Sequence, residues 1–147
     1  MKMLKTWFLN YRWPLLSGVL IGTSYIPFFP WAIFFAFVPL WLYWMRCHSW
    51  KQVFWGGFVT QFVLTLIGFN WVAFTIREFG QLPWLAAILG LGIFCGFANL
   101  HIALAGLIWH FLRKKLTLSS THLLLLLPSL TALGEFLYPM IFDWHFG

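Results

Sequence analysis

Long apolar runs, each closed by a short polar or basic cluster, divide the chain and predict its helices. After a basic start with Lys2, Lys5 and Arg12, the first run covers 13–26 and ends at Pro27-Phe28-Phe29-Pro30. Each proline lacks an amide donor and restricts the residue before it, which predicts a tight turn. The second run covers 31–45, with Pro39 as an expected kink. Both runs are short against the roughly 20 residues that a membrane span needs. They form either two spans or a short proline-linked hairpin; either way, both ends return to the same side. The polar stretch Arg46-Cys47-His48-Ser49-Trp50-Lys51 leads to a third run over 53–76, long enough to span. Arg77 to Pro83 is a loop. The fourth run, 84–112, is dotted with glycine and alanine, which permit close helix contact. Its Gly92 and Gly96 have the GxxxG spacing, a weak signal in so apolar a segment. Arg113-Lys114-Lys115 closes it, and a fifth run covers 123–142 with Pro128 near its start. The expectation is an all-α membrane protein, about five transmembrane helices bundled into one domain over 1–147. A basic start before a short apolar run also suits a signal peptide, but no small-x-small cleavage site follows, so the first helix is read as uncleaved.

Composition strengthens the membrane reading. Charged residues make up 8% of the chain and hydrophobic residues 62%, against about 25% charged in soluble domains. A transmembrane barrel would show alternating segments of roughly ten residues with turn signals, and the runs here are continuous. The net charge of +6 comes from basic residues placed singly or in short groups between apolar runs. That placement argues against nucleic acid as a partner and for a role in topology. Lys2, Lys5, Arg12, Arg46, Lys51, Arg113, Lys114 and Lys115 fall on one side of the expected membrane, and Arg77 falls on the other, beside Glu78. The positive-inside rule then places the amino terminus in the cytoplasm, and the Arg77 loop and the carboxyl end outside.

Few residues are suited to chemistry. Cys47 and Cys95 form no CxxC pair, and the five histidines are scattered, so neither a metal site, a disulfide framework nor a cofactor is indicated. The most polar cluster is Asn70, Thr75, Arg77, Glu78 and Gln81. On a straight third helix Asn70 lies about 9 Å from the outer end, where its amide serves a helix–helix hydrogen bond or a lipid headgroup. Trp71 belongs to an aromatic belt or to the same site. Arg77 and Glu78 form a solvated pair of little energetic worth, or Arg77 attracts a phosphate headgroup. Glu135 is the acidic residue set well inside an apolar run, about 18 Å along its helix. Such a group marks a site facing the bundle interior or a wet cavity, or is a partnered structural carboxylate. Asn99 and His101 are read as interhelical bonding residues.

Gly68-Phe69-Asn70-Trp71 followed by Phe79-Gly80-Gln81-Leu82-Pro83 resembles the G-x-N-W…F-G-x-x-P signature near the third helix of bacterial apolipoprotein N-acyltransferases. The Pro27-Phe28-Phe29-Pro30 turn resembles that family's first hairpin, Glu135-Phe136-Leu137 its E-F/Y-L helix, and Phe142-Asp143-Trp144-His145-Phe146-Gly147 its F-P-W-x-x-G element. Two departures stand out: Asp143 replaces the usual proline, and Tyr138 replaces an arginine often found after the E-F/Y-L triplet. The resemblance implies a multi-pass enzyme of the bacterial inner membrane with eight helices and an outer nitrilase-like domain. That enzyme moves an acyl chain from a phospholipid to its own cysteine, and then to the amino-terminal cysteine of a lipoprotein. Its Glu-Lys-Cys triad lies, in the family's order, beyond the five helices matched here, so no catalytic residue is assigned. Asn70, Trp71, Arg77, Glu78, Glu135 and Trp144 are the lipid or interface candidates. The expected partners are phospholipid and a separate nitrilase-like domain or the rest of the enzyme. The competing readings are a non-catalytic membrane module that binds lipid or a partner protein, and a small transporter. Repeats and broken helices meeting at mid-membrane would mark the transporter, and no repeat is present.

Overall fold

A computed structural model of the chain describes residues 2–24, 32, 34–116 and 120–138, with side chains from residue 10 onward except at 120, 123 and 124. Among the described residues all regular structure is helical: α1 (Lys2–Gly22), α2 (Val38–Arg46), α3 (Trp50–Gly68), α4 (Trp71–Gly80), α5 (Trp84–Phe97), α6 (His101–Lys115) and α7 (Ser120–Leu137). The central helix is α3, which packs against α1, α2, α5 and α6; α4 leans on α5, and α7 on α6.

Several boundaries differ from the hydropathy reading. The first helix begins at Lys2 rather than near Trp13 and carries Pro14 inside it. It closes at Thr23 and Ser24, whose hydroxyls donate to the carbonyls of Val19 (2.8 Å) and Leu20 (2.7 Å); the Ser24 amide turns to Ile21, so the Leu20 carbonyl takes the hydroxyl in place of its usual amide. The second helix starts at Val38, so Pro39 opens it instead of kinking it. Proline suits that place, because the first-turn amides have no intrahelical acceptor. The fifth run begins at Ser120 with Pro128 well inside, and it ends at Leu137. The Pro27–Pro30 turn lies outside the described residues.

The third run is not one helix. It breaks between Gly68 and Trp71 and bends by 61°. Asn70 Nδ2 donates to the carbonyl of Ile67 at 2.8 Å, the acceptor that the Trp71 amide would take in a continuous helix. A short amide side chain that competes for the backbone in this way is a known helix breaker. The chain resumes through Val72 and Ala73 amides bonded three residues back, to Phe69 (3.0 Å) and Asn70 (3.2 Å). The fourth run extends from Trp84 to Lys115, with a tight turn at 98–100 between α5 and α6. At 32 residues it is about 48 Å long and, among the described residues, is the one stretch that by itself is long and apolar enough to cross a membrane; α3 with α4, counted as one bent span, is a second.

Trp44 locks the centre. Its side chain is fully buried, and Nε1 donates to the carbonyl of Val53 at 3.0 Å. The ring sits where two helices lack side chains: a Cβ on Gly106 would lie 2.6 Å from it, and one on Gly57 would meet it at 3.2 Å and the Ala103 Cα at 2.7 Å. Gly92 and Gly96, the GxxxG pair, face open space instead. Arg113 donates to the carbonyls of Trp44 (3.2 Å) and Cys47 and lies 4.5 Å over the Trp109 ring. It therefore ties the end of α6 to the end of α2. Arg12 and Arg46 both rest on the Trp13 ring, at 5.6 and 5.9 Å, so Arg12, midway along α1, gathers with the cationic ends of α2 and α6 away from α4.

Replacing Gly106 by valine should force Trp44 aside and lower stability by about 1–3 kcal/mol, the range for overpacking. Gly92→Val, which carries the same intrinsic helix cost but meets nothing, is the matched control. Thermal unfolding of the two variants in one detergent checks this, and equal melting temperatures would show that the slot is not tight.

Candidate functional site

The bend after α3 turns α4 into a separate ten-residue platform that carries four of the sequence candidates. Asn70 is its N-cap residue and is exposed, with its amide spent on Ile67. It is therefore a corner residue and not the buried interhelical group that a straight helix would have made. Trp71 follows, half-exposed, with its ring 6.5 Å from that of Phe69. Phe74 and Phe79 are also exposed, and Ala73 is buried. A short helix with exposed aromatics and charges at one end suits a boundary between apolar and aqueous phases.

The far end of α4 carries the charges. Arg77 Nε lies 3.8 Å from Glu78 Oε1, and both side chains are close to half exposed, so water screens the pair and it adds little stability. The firmer contact is the Arg77 guanidinium stacked 4.4 Å over the Trp84 ring. This stack spans the turn from α4 to α5, and Gln81 makes the turn possible by adopting φ 51. Only glycine takes that left-handed conformation without cost, so Gln81 is a strained joint held by its neighbours. Leu82 and Pro83 then lead into α5, whose Ala87 amide bonds the Pro83 carbonyl at 3.1 Å. The stack holds Arg77 beside an open surface, where a planar fork of N–H donors suits a phosphate.

Glu135 lies apart from this group. It is half-buried on α7, which packs on α6 while α4 packs on α5. A cavity of about 230 Å³ opens nearby between α6 and α7, lined by residues that include His101, Ile108, Leu133, Gly134 and Tyr138. Glu135 is not in that lining. Tyr138, standing where the resemblance leads one to expect arginine, donates its hydroxyl to the Phe97 carbonyl at 2.7 Å and packs its ring 5.5 Å from that of His101. Trp144 and Asp143 lie outside the described residues.

The sequence reading passed over a buried polar layer around the turn at 98–100. There the Leu100 amide bonds Phe97, three residues back, and leaves the Gly96 carbonyl without its usual donor. Gln61 Nε2 fills the vacancy at 3.0 Å. Asn99 Nδ2 donates to Thr65 Oγ1 at 2.9 Å, and Thr65 Oγ1 donates to the Gln61 carbonyl at 2.7 Å. Asn99 is thus the interhelical residue expected, whereas His101, buried beside it, turns toward α7. The signal was available: Gln61 is the one amide in the run before the Gly68 corner. Both cysteines are buried and reduced. Burial pushes the Cys47 thiol up from its ordinary value, partly opposed by a hydrogen bond with Tyr43 and by the Arg113 charge. A thiol so held is a poor nucleophile at neutral pH.

Comparisons with known proteins point to one family. The family model described as the apolipoprotein N-acyltransferase N-terminal domain matches residues 17–146. A curated apolipoprotein N-acyltransferase from Bdellovibrio bacteriovorus is 48% identical over 153 aligned positions, which cover 99% of this chain and 28% of that protein. No solved structure matches the chain. The chain thus spans little more than a quarter of the relative's length, and with nearly all its residues matched it belongs to the apolipoprotein N-acyltransferase family, as an N-terminal domain.

Proposed function

We propose that this chain is the amino-terminal membrane portion of an enzyme that transfers an acyl chain from phospholipid to the amino-terminal cysteine of lipoproteins. The observation that carries the reading is the family match from 17 to 146, with the Gly68–Trp71 and Phe79–Pro83 motifs forming the two ends of α4. In this reading five helices sit in the bacterial inner membrane. The amino terminus is cytoplasmic, and the Arg77 end of α4 lies at the outer face. Exposed Leu85, Ile88, Ile93, Phe97, Ile108 and Phe111 line the long helix, an apolar band that suits acyl chains as neighbours. The gathering of Arg12, Arg46 and Arg113 at the end away from α4 supports the orientation, since basic residues favour the cytoplasmic side. The chain's part is to hold phospholipid near α4, with Arg77 at the phosphate and Trp71 at the headgroup boundary. Bond making belongs to the rest of the enzyme, its partner.

Exchanging this chain for the corresponding quarter of the Bdellovibrio protein tests the reading. The chimera should convert a diacylated lipopeptide to the triacylated product in phospholipid-containing detergent, and the isolated chain should give none. A folded chimera without product would sink the assignment. Product from the isolated chain that is lost in Cys47→Ser or Cys95→Ser would show instead that the chain is itself catalytic.

The orientation has its own test. In a background lacking both native cysteines, a membrane-impermeant thiol reagent applied to intact cells should label Gln81→Cys and leave Ser119→Cys untouched. The reverse pattern would invert the topology.

A further inference from the structure

At the end of the bundle away from α4, an open pocket of about 320 Å³ is walled by Asn10, Tyr11, Arg12, Tyr43, Arg46 and Gln52, among others. Its two arginines are exposed and share the Trp13 ring as a support, at 5.6 and 5.9 Å. Stacking on an indole positions a guanidinium while its in-plane N–H groups still point outward. Among the described residues no ion pair ties either of them to a carboxylate, in contrast to Arg77 beside Glu78. The pocket therefore carries two fixed positive charges together with the amides of Asn10 and Gln52.

Tyr11 also lines a second cavity. This is an apolar groove of about 310 Å³ on α1 and α3, walled by Leu15, Trp55, Phe58, Phe62 and Val63 as well. The rings of Trp55 and Phe58 are 5.4 Å apart and those of Phe58 and Phe62 are 6.3 Å apart, so the wall is a continuous aromatic ladder along α3. A single tyrosine, Tyr11, is thus common to a cationic pocket and to an apolar groove running along the helices. A soluble anion would leave the groove empty, and an apolar helix would leave both arginines unanswered. An anionic amphiphile answers both.

We propose that these two cavities form one binding site for an anionic phospholipid of the cytoplasmic leaflet, its phosphate between Arg12 and Arg46 and one acyl chain along the Tyr11–Phe62 groove. Asn10 and Gln52 serve the hydroxyls of the headgroup. Basic pockets between helices on the cytoplasmic side are suited to such lipids. The site is separate from α4 and from acyl transfer. It rests on the membrane reading of the chain but not on the enzymatic one, so a chimera without activity leaves it standing.

The purified chain, equilibrated in mixed micelles with equal amounts of phosphatidylglycerol and phosphatidylcholine, is examined by native mass spectrometry for bound lipid. Phosphatidylglycerol should be retained preferentially. Arg12→Gln with Arg46→Gln should weaken its retention about tenfold or more, given roughly 1 kcal/mol per basic residue near an anionic headgroup. Val59→Trp, which fills the groove and keeps both arginines, should also lower it. Lys114→Gln with Lys115→Gln, which removes equal charge from the same end, should not. The proposal is overturned by equal retention of the two lipids in the unaltered chain, or by a preference that survives the arginine changes. An equal loss in the lysine control would overturn it too, by reducing it to general charge. Displacement of the lipid by equimolar glycerol phosphate would assign the pocket to a free phosphate group and end the lipid reading.

Discussion

The fold depends on the seating of one indole between two glycines. In the membrane reading proposed above, helices in an apolar medium gain little from hiding apolar surface from one another, so close packing and satisfied polar groups must hold them. Trp44 supplies both. Its ring fills the slot left by Gly57 and Gly106, its N–H bonds the Val53 carbonyl, and its own carbonyl accepts from Arg113. One residue of α2 therefore fixes the start of α3 and the end of α6. Because Arg113 is followed by Lys114 and Lys115, and α2 ends at Arg46, this packing also decides where positive charge collects. The electrostatic polarity of the bundle follows from its steric centre.

Two irregular turns do the remaining shaping, by the same chemistry in different surroundings. Each leaves a helical carbonyl without its usual amide donor, and a side-chain amide replaces it. At the surface Asn70 takes the Ile67 carbonyl from its own chain segment, and nothing then holds the next helix in line, so α4 swings by 61°. In the interior Gln61 takes the Gly96 carbonyl from a neighbouring helix. That bond ties α3 to the turn, and the long helix continues beyond it. Whether the replacement donor is local or comes across the interface separates a hinge from a cross-brace.

The apolar runs were legible because hydropathy reports where helices lie, and the all-helical class followed from them. Their breaks were not. A depth computed for Asn70 assumed a straight helix, yet Asn70 itself ends that helix. The GxxxG spacing of Gly92 and Gly96 reads one helix at a time, whereas the slot that matters is assembled from Gly57 on α3 and Gly106 on α6, which no spacing rule joins. Pro39 was misread as a kink because position within a helix decides what proline does, and the start of α2 was set too early. The α4 candidates were legible as a cluster, since polar residues stand out in so apolar a chain. Glu135 stood out equally, but an acidic residue in an apolar run signals only its cost. The cavity beside it is lined by its neighbour Gly134 and by Tyr138 instead.

Tryptophan supports arginine at both ends of the bundle, with opposite electrostatic results. At α4 the guanidinium of Arg77 lies on Trp84 with Glu78 beside it, so that end carries little net charge. A fork of donors there can meet the phosphate of a zwitterionic lipid without also repelling its cationic headgroup. At the other end Arg12 and Arg46 share Trp13 with no carboxylate pairing to either among the described residues. Two uncompensated charges reward an anion and penalise a bound ammonium, and an apolar groove beside them rewards an acyl chain. Stacking fixes the position of each guanidinium in both places, so under the two proposals above selectivity between lipids rests on one acidic residue, present at Glu78 and, among the described residues, not paired with either arginine on Trp13. A chain with three acidic residues in all places one of them directly beside the single basic residue that lies away from the others. On the functional reading proposed above, neutralising that arginine locally lets the α4 end accept a lipid that two uncompensated charges at the other end discriminate against.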